Sequence, residues 1–87
     1  MKIYDYNGRV NISGGYIKTL RRQLKMSQEQ LSARLQVAGI DIDQRTISRI
    51  ERETRFLADY ELREIAHTLC VTADDLMQDR MDEKPDM

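Results

Sequence analysis

Capping residues divide this chain into helices too short to stand alone, and that punctuation limits the fold more than any other feature. Ser27-Gln28-Glu29-Gln30 reads as a capping box, with the Ser27 hydroxyl for one free N–H and Gln30, three residues on, reaching back. Asp43 is a comparable start ahead of Gln44, and Thr72-Ala73-Asp74-Asp75 resembles the opening of a short last helix. Ser13 is the candidate cap of a first helix to about Lys25, although Gly14 and Gly15 weaken its first turn. Gly39 marks a stop. Between these marks apolar residues recur at helical spacing: Ile17, Leu20 and Leu24; Leu31 and Leu35; Ile47 and Ile50; Leu62, Ile65, Ala66 and Leu69; then Leu76 and Met77. The small Ser32 falls where a close helix crossing demands little volume. Helices of about ten residues are marginal in water by themselves, so these stripes must bury one another. The expected fold is all-α, a compact bundle of five helices over residues 13–77, with helices near 44–52 and 59–69 among them.

Outside that bundle, Asn7-Gly8 between Ile3-Tyr4-Asp5-Tyr6 and Arg9-Val10-Asn11-Ile12 is a hairpin signal. Residues 1–12 are therefore expected to form a short N-terminal hairpin lying on the domain or on a partner subunit, or else an extended arm. Residues 78–87 are polar, contain Pro85 and read as a tail. Phe56 and Leu57 fall in a connecting loop with nothing obliging them to be exposed.

The chemistry available excludes several classes. One histidine (His67, at a helix edge), one cysteine (Cys70) and no phosphate-binding loop leave little for a catalytic site, a metal or a cofactor. Cys70, between Leu69 and Val71, is read as a small buried apolar residue. No apolar run is long enough to cross a membrane and no signal peptide is evident, which places the expectation in the cytosol. The net charge of −1 is segregated. Residues 16–55 hold nine Lys/Arg against five acids, a net of +4, whereas residues 56–87 hold three against nine, a net of −6. One basic face can then meet phosphate while the other end stays solvated.

The helix beginning at Gln44 carries the functional signal. Ile47 and Ile50 occupy one side, and Gln44, Arg45, Ser48 and Arg49 the other. A Gln/Arg face is poor at catalysis but matches the donors and acceptors on base edges.

In order along the chain, Ile17-Lys18-Thr19-Leu20-Arg21, Met26-Ser27-Gln28-Glu29-Gln30-Leu31, Thr46-Ile47-Ser48-Arg49-Ile50-Glu51, Glu61-Leu62-Arg63-Glu64-Ile65-Ala66 and Leu69-Cys70-Val71-Thr72-Ala73-Asp74-Asp75-Leu76 resemble the lambda-repressor/Cro-like, or XRE-type, helix-turn-helix regulators. The resemblance spans roughly residues 16–77. It implies a five-helix lambda-repressor-like DNA-binding domain whose third helix enters the major groove. By position, Gln44, Arg45 and Arg49, with Ser48 on the same face, correspond to base readers. Gln28 corresponds to a residue that holds a phosphate and braces the first reader, and Arg52 and Arg55 to residues that follow the backbone. Arg21 and Glu51 correspond to an ion pair bridging helix 1 to the end of helix 3. The implied partner is a double-stranded, palindromic operator bound by a homodimer, with repression as the outcome. The competing expectation is a protein-interaction module of the same fold, acting on a protein partner as an antitoxin or anti-repressor does.

Two departures from the family pattern stand out. The connection Gln36 to Asp43 is longer than the usual tight turn, which leaves the first residue of helix 3 open. The glycine that usually follows helix 3 is replaced by Glu53-Thr54.

Overall fold

A computed structural model of the protein describes residues 6–78. Met1–Asp5 of the N-terminal arm and all of the C-terminal tail except Gln78 lie outside the described residues. Five helices follow in order: α1 (Gly14–Gln23), α2 (Gln28–Val37), α3 (Gln44–Glu51), α4 (Asp59–Thr68) and α5 (Ala73–Leu76). α2 packs on α3, α1 crosses α3, and α4 joins α2 to α5. Ile17, Met26, Leu31, Leu35, Ile42, Ile47, Ile50, Ile65, Ala66, Leu69 and Leu76 form one buried core. Each large aliphatic side chain so buried contributes about 1.5–3 kcal/mol.

Side-chain caps start three of the helices. The Ser27 hydroxyl accepts from the Gln30 N–H at 3.0 Å and the Gln30 side chain accepts from the Ser27 N–H at 2.8 Å. Asp43 accepts from the Thr46 N–H at 2.8 Å, so α3 begins at Gln44 despite the long connection before it. Thr72 and Asp75 repeat the capping box at α5. The Thr46 backbone N–H and then its hydroxyl, bonded to the Asp43 carboxylate, hold that group below the usual carboxylate range.

At α1 the expected cap is corrected. Ser13 has already turned into helical backbone and its hydroxyl makes no capping bond. Asn11 does the work instead, its Oδ1 accepting from the N–H groups of Ser13 (3.0 Å) and Gly14 (2.7 Å). Gly14, which costs helix propensity, serves the crossing with α3: a Cβ there would lie 2.0 Å from the Ile50 carbonyl oxygen.

Helices α1 to α4 end alike. Lys25, Gly39, Glu53 and Cys70 each adopt positive φ, at 56°, 90°, 62° and 62°. In every case this residue and the next donate to the carbonyls three and five residues back, for example Glu53 to Ile50 and Thr54 to Arg49. This is the Schellman termination, with glycine at only one of the four positions. It explains two departures from expectation. Cys70 is exposed, because a left-handed residue after the helix turns its side chain away from the core. Leu24 is half exposed, because α1 ends at Gln23 and the buried Met26 takes its place in the core. Phe56 is likewise half exposed, whereas Leu57 packs against the core.

The connection between α2 and α3 is a structured one. Ile42 is wholly buried, and its carbonyl accepts from the Ser32 hydroxyl at 2.7 Å and from the Gln36 amide at 3.3 Å. Ser32 is thus both small enough for the crossing and a tether for the loop. At the N-terminus, Tyr6 and Arg9 exchange backbone hydrogen bonds of 2.7 and 3.0 Å around Asn7-Gly8, closing a two-residue turn. Val10 then donates to the Glu53 carbonyl at 3.0 Å, which lays this segment on the end of α3.

Candidate nucleic-acid interface

The short α3 buries Ile47 and Ile50 completely and turns Gln44, Arg45 and Arg49 to solvent, with Ser48 half-buried between them. Neither the Arg45 nor the Arg49 guanidinium has a hydrogen-bond or ion-pair partner among the described residues. Two permanent cations therefore stand on one exposed helix face, a turn apart, Arg45 with only a longer-range attraction to the Asp43 carboxylate.

Behind that face runs a continuous polar relay. Arg21 on α1 donates through Nε (2.6 Å) and Nη2 (3.1 Å) to the two oxygens of Glu51, at the last residue of α3. Its Nη1 donates to the Met26 carbonyl at 2.7 Å, and both side chains of the pair are at least nine-tenths buried. Glu51 Oε1 also accepts from the Gln28 side-chain amide at 2.9 Å, and Gln28 Oε1 accepts from that of Gln44 at 2.6 Å. The relay thus ties the first and last residues of α3 to the start of α2. Lys18, Arg22, Ser27, Gln28 and Gln44 rim an open groove there, into which the N-terminus of α2 and its positive dipole end point. Glu29 lines the same groove and works against an anion in it.

Past α3 the two arginines differ. Arg52 is exposed, with only a long 3.4 Å contact from Nε to the Ser48 carbonyl. Arg55 is half-buried and engaged, donating from Nη1 to the Phe56 carbonyl (2.8 Å) and to Glu61 (2.6 Å). Glu61 in turn accepts from the Ala58 N–H at the start of α4.

Three contributors escaped the sequence reading. Asn11 uses its amide as fully as its oxygen, donating to the carbonyls of Ile50 (3.1 Å) and Arg55 (3.0 Å). Arg9 donates to both oxygens of Glu53, at 3.0 and 3.2 Å, and Glu53 also accepts from the Gly15 N–H. The missing glycine after helix 3 was the available signal: an acid held there needs a cation beside it.

Comparison with known proteins agrees with this geometry. A helix-turn-helix family model matches residues 17–76, from α1 to the end of α5. The chain belongs to that family. Searches of curated proteins and of solved structures return no match. As a helix-turn-helix protein of the XRE, lambda-repressor-like type, it is a DNA-binding transcriptional regulator by family, with α2 and α3 as the motif. No helix among the described residues is long and apolar enough to cross a membrane. No group of three His, Cys, Asp or Glu among them could hold a metal ion.

Proposed function

We propose that this helix-turn-helix protein is a sequence-specific repressor that binds a palindromic operator as a homodimer, with α3 in the major groove. The observation that carries the reading is the pair of guanidinium groups, Arg45 and Arg49, on the exposed face of a helix whose other face is locked into the core. Arginine bonds bidentately to guanine, and Gln44 beside it has the groups that match adenine. Ser48 lies between them within reach of a base, methyl group or phosphate. Gln28 and Arg52 are the backbone contacts that set register. Arg55 contributes less to phosphate binding, because Glu61 already takes up part of its charge. The dimer follows from mechanism, since one small domain makes few contacts and two half-sites a helical turn apart multiply both affinity and specificity.

Selection of bound sequences from a random DNA pool tests the reading directly. A palindromic consensus is the expected result, and Arg45→Ala and Arg49→Ala should each cost ~1–3 kcal/mol while relaxing one base position. Full retention of the specificity ratio by both variants would remove them as readers.

A protein-partner reading draws on one observation: Phe56 and Tyr60, both about half exposed, flank Arg49 and Arg55 in a shallow hollow. Salt separates the two. DNA binding should weaken steeply as salt rises, with Arg52→Ala lowering the slope by about one and Arg55→Ala by less. Absence of any DNA shift at low salt favours the protein partner.

A further inference from the structure

The polar relay has a direction, set by chemistry at its buried end. A carboxylate only accepts hydrogen bonds, and both oxygens of Glu51 already accept from Arg21. The amide of Gln28 must therefore turn its NH2 group to Glu51, which leaves its carbonyl facing Gln44. Gln44 must in turn give one N–H to that carbonyl. What remains for an outside ligand is the Gln44 carbonyl oxygen and its second N–H, one acceptor beside one donor. Adenine offers the complement in the major groove, a donor at N6 and an acceptor at N7, whereas guanine offers two acceptors. With the relay reversed, Gln44 would accept from Gln28 and turn two N–H groups outward, the better match for guanine.

We propose that the charge on Glu51, acting through Gln28, fixes which atoms Gln44 presents and so makes the base position it reads prefer adenine over guanine. Glu51 is then a specificity-determining positioning residue, although its carboxyl is buried on the far side of Gln28 from any base. The inference rests on the DNA-reading proposal above and deepens it by naming the residue that fixes the match of Gln44 to adenine.

The test uses the full chain and the selected DNA site, with all four bases placed in turn at each position. Glu51→Gln keeps the shape but replaces the acceptor-only group by one that can donate. In this variant the adenine-over-guanine preference at one position should fall from about tenfold to within about twofold, the size of one bidentate contact, with the other positions unchanged. Gln28→Met leaves the Arg21–Glu51 pair intact and keeps the test valid if Glu51→Gln folds poorly. It should flatten the same position while lowering affinity for every sequence. Side-chain amide NMR of the free protein gives a second readout: the Gln28 and Gln44 NH2 protons should exchange slowly in the parent, and those of Gln44 should lose that protection in both variants. The proposal is overturned if both variants keep the adenine preference, or lose discrimination equally at all positions. If the parent itself shows no base preference, the DNA-reading proposal fails and this one with it.

Discussion

At its N-terminal end α3 is held by exposed or half-exposed side chains: the Asp43 cap and the Gln44–Gln28 contact. At its C-terminal end it is held largely through backbone carbonyls. The N-terminal segment reaches across to it, Asn11 binding the Ile50 and Arg55 carbonyls and Val10 the Glu53 carbonyl, while Gly14 sits against the Ile50 carbonyl itself. Glu51 belongs to both schemes, being the last residue of α3 and the root of the relay to its first. The contrast teaches where change is tolerable. The N-terminal end is tied by side chains of α3 and its cap that can be exchanged singly, and the C-terminal end is tied largely through backbone carbonyls, which no substitution in α3 removes.

The sharpest way to break this comparison is to remove what the two ends share. Glu51→Ala leaves Arg21 buried without its partner and should cost about 3–5 kcal/mol in thermal or denaturant unfolding, with DNA affinity falling in step. A fully stable variant that merely fails to bind DNA would show that the pair has no structural role. Next in size, Asn11→Ala removes two capping bonds at α1, takes the side-chain donor from the Arg55 carbonyl and leaves the Ile50 carbonyl with the Glu53 N–H. Unfolding should register a loss of about 2–4 kcal/mol, with base preference retained among whatever DNA complexes form. A change below about 0.5 kcal/mol would mean that the C-terminal end does not depend on the N-terminal segment.

The smallest effect concerns acid. Asp43 has a carboxyl pKa below its ordinary value, so its contribution is fully present above the ordinary range, near pH 4, and fades as pH falls through the lowered value. The Thr46 amide should therefore lose hydrogen-exchange protection and shift in NMR only below about pH 4. The Thr54 amide at the other end, bonded to the Arg49 carbonyl, should not follow it. Parallel titration of the two amides would mean that α3 melts as a unit.

The same asymmetry governs what could be read beforehand. Helix starts at Gln28 and Gln44 were legible because a cap and its target lie within three residues. Of the helix ends, the one marked by Gly39 was legible and the other three were not. A Lys, Glu or Cys in left-handed backbone carries no local mark, since there the fold overrides an intrinsic preference that glycine would satisfy at less cost. The exposure of Cys70 was missed for that reason. The role of Asn11 was invisible for another, because its partners at Ile50 and Arg55 are 39 and 44 residues away. The Gln/Arg face and the Arg21–Glu51 correspondence needed only helical spacing and family position.

The contact between Gly14 and the Ile50 carbonyl also bears on how this protein can diversify. With no side chain between the two helices, their separation is already at the backbone limit, and any larger residue at 14 must drive α1 off α3. The pose of α3 therefore behaves as a fixed chassis. On the proposed reading, new DNA sites are reachable by exchanging residues at 44, 45, 48 and 49, whereas routes that retilt the helix are closed. Lineages built on this frame would accumulate changes in the proposed readers and almost none at 14.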